Sequence, residues 1–259
     1  MLQRVITGAF LIAFVVGVLY LGGWYFAVAA CIAIAVCLYE ELHALETGGH
    51  RPVHWTSYVA LALSVPLMIY YSSLSIIPVL TIMSFCALLQ IMRREKPELT
   101  DVMASVLPML TLVLPGMCFF GVLDAESRGL QALLLSLVFA VAVGGDTFAL
   151  FTGKAIGGRK LCPVISPNKT VAGCIGGLLG SVLCAALVWL GFRSALPMHE
   201  LPELWTVLVV GAIGGAAGQI GDLFASMIKR YCGIKDFGHI FPGHGGMLDR
   251  MDSILFTAI

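Results

Sequence analysis

Residues 204–230 read LWTVLVVGAIGGAAGQIGDLFASMIKR. From Leu204 to Gly221 the segment carries no charge, and about 20 such residues in a helix cross a hydrocarbon layer of ~30 Å. Gly211, Gly214, Gly215, Gly218 and Gly221 recur at spacings of three and four. That spacing gives stripes of small residues for close helix contact in lipid. At Asp222 the character changes: Ser226, Lys229 and Arg230 follow at helical spacings and share roughly one face. A carboxylate at membrane depth is costly and usually marks function. Near a helix C-terminus, where this topology puts Asp222, the dipole adds to the cost. The bland alternative is an ion pair from Asp222 to Lys229 or Arg230; the sharper one is a divalent-cation ligand.

The same character extends along the chain. Of 259 residues 59% are hydrophobic and 12% charged, about half the charge of a soluble domain. Apolar stretches at 5–22, 24–39, 57–72, 75–92, 103–123, 130–152, 172–192 and 204–228 predict an all-α, polytopic integral membrane protein with eight spans. Residues 5–22 lack a small-residue cleavage site and are expected to be the first span, not a signal peptide. The few residues after Asp252 are expected to begin a ninth helix. With the N-terminus in the cytoplasm, eight crossings place all the Lys and Arg inside except Arg128 and Arg193, as the positive-inside rule requires. Formal net charge is zero, so nothing points to a nucleic-acid partner. The eight cysteines have no metal or redox spacing and are expected to carry no chemistry.

Two halves of one continuous membrane domain are expected. Residues 1–125 form scaffold helices facing lipid; 126–259 hold the catalytic helices and cytoplasmic loops. Glu40, Glu41, His43, His50 and His54 fit no metal spacing and suggest a solvated interfacial loop. Pro97 marks a helix boundary and Pro108 a kink.

Chemistry concentrates in the second half. Asp249 and Asp252 flank Arg250 just after His244-Gly245-Gly246, where glycines let a ligand approach the backbone. Two acids and an arginine there suit Mg²⁺ and a phosphate held together. Asp146, in Gly144-Gly145-Asp146-Thr147, is a third candidate acid, with a polar bond to a neighbouring helix as its equal alternative. Ser166-Pro167-Asn168-Lys169-Thr170 puts hydroxyls and an ammonium before the 172–192 helix, whose N-terminus favours anions. Lys229, Arg230, Lys235 and Arg250 add cations on the same side. A nucleoside triphosphate suits this set, and no Walker pattern occurs.

The run Ser226-x-Ile228-Lys229-Arg230-x4-Lys235-Asp236-x-Gly238-x2-Phe241-Pro242-x-His244-Gly245-Gly246-Met247-x-Asp249-Arg250-Met251-Asp252 resembles the signature of the phosphatidate cytidylyltransferases, or CDP-diacylglycerol synthases. Asp146-Thr147-x-Ala149 and Ser166-Pro167-x-Lys169-Thr170 also resemble that family, extending the likeness over the second half. The resemblance implies that CTP and phosphatidate give CDP-diacylglycerol and pyrophosphate in phospholipid biosynthesis, with Mg²⁺ required and room for a second cation. It implies a bacterial-type inner membrane with the active site facing the cytoplasm. By position Asp222 and Asp249 match the family's metal-binding acids, and Asp146 is the further candidate. Lys229, Arg250 and His244 would serve catalysis, His244 as a proton shuttle. Ser166, Lys169, Thr170, Ser226, Arg230, Lys235, Asp236, Gly245, Gly246 and Asp252 would bind substrate. The chain departs from the family in having Ala172 before Gly173, where the family often has Glu, and is expected to stop before the family's final helix is complete.

Two rivals stay open. A CTP-dependent polyprenol kinase would release CDP, not pyrophosphate, and an ion-coupled transporter would release neither. Glycine-faced helices also suit a homodimer.

Overall fold

The apolar stretches fold as helices because in lipid each backbone N–H and C=O needs an internal partner. The computed structural model describes residues 2–71 and 73–259; Ser72, the last residue of the expected 57–72 span, lies outside them. The helices are α1 (Leu2–Leu21), α2 (Gly23–Thr47), α3 (His54–Tyr70), α4 (Ile76–Met92), α5 (Leu99–Pro108), α6 (Leu114–Val122), α7 (Arg128–Ile156), α8 (Val171–Phe192), α9 (Leu204–Tyr231) and α10 (Leu248–Thr257). Among the described residues, five helical segments are long and apolar enough to cross a membrane: Gly23–Thr47, Leu99–Val122, Arg128–Ile156, Val171–Phe192 and Leu204–Tyr231. The protein is therefore an all-α membrane protein, apart from a short antiparallel hairpin of β1 (Lys160–Cys162) and β2 (Ser166–Thr170). That hairpin departs from the expected all-helical pattern: Gly157 and Gly158, at φ 65° and 90°, turn the chain out of α7 and into it.

The chain divides into two compact units, one of residues 1–124 and 228–251, the other of 125–227 and 252–259. In the first unit α2 to α6 close on a core that includes Ile34, Leu38, Ala60, Ala87 and Phe119. Pro97 precedes α5 as expected. Pro108 ends that helix, and the chain continues through a π-helical turn, Met109–Val113, before α6. Gly116 brings α6 against Ile34 of α2, where a Cβ would overlap the isoleucine.

The second unit is built by glycines. Gly144 and Gly145 of α7 meet Cys184 and Ser181 of α8, while Gly176 and Gly180 of α8 meet Thr152 and Phe148 of α7. On α9 the glycines form two faces instead of one stripe. Gly211 and Gly215 lie against Ala185 and Ser181 of α8; Gly214, Gly218 and Gly221 lie against the Ser253–Thr257 part of α10. Caps set the helix starts: Ser127 Oγ accepts the Leu130 N–H at 3.1 Å and Thr170 Oγ1 the Gly173 N–H at 3.0 Å.

A Cβ at Gly173 would sit 2.8 Å from the Ala149 carbonyl oxygen, which is backbone and cannot step aside, whereas one at Gly191 would meet nothing within 4 Å. Gly173→Ala is therefore expected to destabilise the protein by about 1–3 kcal/mol and to lower its unfolding temperature in detergent by several degrees. Gly191→Ala should leave it unchanged or slightly raised.

Candidate active site

In the second unit the hairpin delivers Lys169. Its Nζ lies 2.6 Å from Asp222 Oδ2 on α9, with both side chains partly exposed. Lys169, from a strand distant in sequence, is thus the ion-pair partner of Asp222, in place of the expected Lys229 or Arg230. Asp222 also lies further from the end of its helix than expected. Helix α9 continues to Tyr231, about two and a half turns beyond Asp222, and the dipole's effect is confined to the last turn. Asp146 lies mid-helix in α7 and accepts the Ser253 hydroxyl at 2.9 Å. It shares a narrow crevice with Ser181, Gln219, Ser253 and Thr257. Asp252 Oδ1 accepts the Ser253 N–H at 2.8 Å. Ser166 opens β2, in register with Cys162, and Ser226 is half-buried on α9.

In the first unit the chain leaving α9 folds back around Asp249. Lys229 Nζ lies 2.6 Å from Asp249 Oδ1 and 5.1 Å from the centre of the Phe237 ring, a cation–π distance. Asp249 Oδ2 accepts the N–H groups of Phe237, at 2.8 Å, and Gly246, at 3.0 Å. The Asp249 side chain is 4% exposed and stands in the first turn of α10, where the dipole favours an anion. A tight turn presents it: Phe241 N–H donates to Gly245 O at 3.0 Å and His244 N–H to Phe241 O at 2.9 Å. Gly243 and Gly245 take φ of 79° and 84°, the left-handed region that glycine enters freely. His244 Nδ1 is buried without a hydrogen-bond partner among the described residues. Lys235, Asp236 and Arg250 are exposed, as is Arg230.

The expected solvated loop around residue 40 is corrected. Helix α2 runs on to Thr47, so Glu40 and Glu41 are helical, and they are 2% and 1% exposed. Glu41 accepts a hydrogen bond from the Thr111 hydroxyl. Glu40 accepts the N–H groups of Met247, at 3.0 Å, and Leu248, at 2.7 Å. His43 is exposed and stacks on Tyr39, whereas His50 and His54 are half-buried, His54 pairing with Glu46 at 2.7 Å. The signal for Glu40 was in the sequence, an acid at the end of an uninterrupted apolar helix. Its partners were not, since they lie 207 and 208 positions away. Burial, and secondarily the charge of Glu41, pushes the Cys232 thiol up, away from the thiolate that reactive cysteines require.

The profile of the cytidylyltransferase family matches residues 2–259. The chain belongs to that family. Among curated members, a protein from Staphylococcus epidermidis (strain RP62A) named phosphatidate cytidylyltransferase is 39% identical over 149 residues, 58% of this chain and 54% of that one. Proteins of the same name from Staphylococcus saprophyticus and Staphylococcus aureus (strain COL) are 39% and 40% identical over 151 residues, again 58% of this chain and 54% of theirs. The aligned chain thus spans about half the length of these curated cytidylyltransferase relatives.

Magnesium, which the signature's resemblance implies, can be tested against these side chains. Among the described residues no three His, Cys, Asp or Glu converge as a ready-made metal cage. Mg²⁺ needs none, since it is usually bound by one or two carboxylates plus substrate phosphates and retained waters. Asp222, 31% exposed and held by one ammonium, fits that mode. Asp249 fits it only through Oδ1 with Lys229 displaced, because its Oδ2 is engaged by two backbone amides.

Proposed function

We propose that this chain transfers the cytidylyl group of CTP to phosphatidate, giving CDP-diacylglycerol and pyrophosphate. The observation that carries it is the paired arrangement of acid and lysine, Lys169 with Asp222 and Lys229 with Asp249, each at 2.6 Å. Both pairs lie within elements whose residues resemble the phosphatidate cytidylyltransferase signature, and relatives at about 40% identity bear that name. A phosphatidate phosphate oxygen, already ionised at neutral pH, attacks the α-phosphorus of CTP in line. A new P–O bond forms, and the bond to the β-phosphate oxygen breaks to release pyrophosphate. Reactions of this kind depend chiefly on positioning and charge neutralisation, which suits a site without a strong base.

By the signature's resemblance, Asp222 and Asp249 are each carboxylates that would ligate Mg²⁺, with Asp146 for a second cation. The metal's contribution when bound is to neutralise the triphosphate and polarise its α-phosphorus. Lys169 and Lys229 then turn from carboxylate to phosphate oxygens, so each ammonium keeps an anionic partner throughout. Arg230, Lys235 and Arg250 supply exposed cations for CTP and the lipid headgroup. Thr170, Ser166 and Ser226 offer hydroxyls, and His244 a ring nitrogen for proton exchange. In this reading the helices make eight crossings of a bacterial inner membrane with the site facing the cytoplasm, so CTP arrives from water and phosphatidate sideways from the inner leaflet.

Purified protein in phosphatidate-containing vesicles, given CTP and titrated with magnesium, is expected to release pyrophosphate and CDP-diacylglycerol in equal amounts. Chelation should stop the reaction and added Mg²⁺ restore it. Release of CDP without pyrophosphate, or no product at any magnesium concentration, would rule out the assignment.

A further inference from the structure

Glu40 is an acid near the end of the apolar helix α2, yet it has no cationic partner among the described ion pairs. Both its oxygens accept backbone N–H groups, Oε1 from Met247 and Oε2 from Leu248. Those amides open α10, where the first N–H groups of a helix lack partners inside it. A carboxylate from α2 therefore caps a helix more than 200 positions away. The fit is close enough to dictate residue type: a Cβ at Gly238 or at Gly246 would overlap the Glu40 carboxylate. Gly246 is clamped twice, with its Cα against Glu40 and its N–H on Asp249 Oδ2. Its N–H is therefore held by the protein's own carboxylate. Asp249 follows directly on Leu248, and Lys229 pairs with it.

We propose that Glu40 is a positioning residue for cytidylyl transfer: its carboxylate fixes the Gly246–Leu248 backbone and thereby the Asp249–Lys229 pair. This rests on the function proposed above. Glu40 does not touch substrate; it acts through the loop it holds. A displacement of about 1 Å in such a pair can cost on the order of a hundredfold in rate.

The test compares wild type, Glu40→Ala, Glu40→Gln and, as a control on the exposed part of the same helix, Glu46→Gln. Each is purified in detergent, confirmed as folded by its cooperative thermal transition, and measured by hydrogen exchange and by CTP turnover. In Glu40→Ala the amides of Met247 to Asp249 should exchange at least tenfold faster, with those of α3 and α4 unchanged. Its kcat should fall at least tenfold while KM for phosphatidate stays within twofold, because acyl-chain partitioning does not depend on this loop. Glu40→Gln keeps one of the two acceptor oxygens and should fall between wild type and Glu40→Ala; it also serves as the test if Glu40→Ala does not fold. Glu46→Gln should match wild type in both measurements. Unchanged exchange at those amides, or a kcat within twofold of wild type in the folded Glu40 variants, overturns the proposal. If wild-type protein itself makes no CDP-diacylglycerol, the proposed function falls and takes Glu40's positioning role with it. Normal wild-type turnover with unaltered variants removes the role of Glu40 alone.

Discussion

Asp222→Asn is expected to lower CTP turnover by at least a hundredfold while leaving the unfolding temperature nearly unchanged. The two halves of this expectation have different causes. The Lys169–Asp222 pair is partly exposed, at 26% and 31%, and ion pairs in such settings contribute only about 0–1 kcal/mol after screening by water and salt. The isosteric amide therefore costs the fold little. Asparagine removes the negative charge that a magnesium ion would use, and losing one electrostatic contact to a transition state costs about 10²–10³ in rate. Turnover measured across a magnesium titration, beside a thermal scan of the same preparation, decides it. Turnover near the wild-type rate would end the assignment of Asp222 as a metal ligand.

Asp249→Asn should fail in both measurements. Its carboxylate is 4% exposed and carries three interactions, one to the Lys229 ammonium and two to backbone amides. An amide in its place leaves the Lys229 ammonium, 13% exposed, without its counter-ion. Where the NH₂ group takes the Oδ2 position, it also faces two N–H donors. Removing one partner of a buried pair typically costs about 3–5 kcal/mol, so a fall of several degrees in unfolding temperature is expected together with loss of turnover. An Asp249→Asn protein as stable as wild type would show that Lys229 and the Phe237–Gly246 loop do not depend on this carboxylate. The contrast between the two variants is itself informative. Asp222 is expected to matter for the reaction alone, Asp249 for the reaction and for the loop that presents it.

Much of the architecture was legible in the residues. Among the described residues each expected apolar stretch is helical over nearly its whole length, since apolar length and backbone satisfaction in lipid are local properties that composition reports directly. The glycines of 204–230 foretold close helix contact, although their division into one face toward α8 and another toward α10 depended on where those helices lie. The Ser-Pro-x-Lys-Thr run was identified as special, but its strand pairing with Lys160–Cys162 was not visible in a chain dominated by helical periodicity. At Glu40 and Glu41 charge suggests water, yet both side chains are buried. A carboxylate can be buried when backbone amides or a hydroxyl meet its oxygens, and the pattern around residue 40 does not reveal those partners.

By itself the sequence determined that this chain lives in a membrane, which stretches become helices, and which acids and bases carry the family's signature. These are set by local composition and by the identity of residues at close spacing. Only the tertiary structure decided which groups meet: Lys169 with Asp222, Lys229 with Asp249, and Glu40 with the amides that open α10. Electrostatic attraction and hydrogen bonding depend on separations of a few ångströms in space. Separation along the chain says nothing about such distances until the fold has closed them.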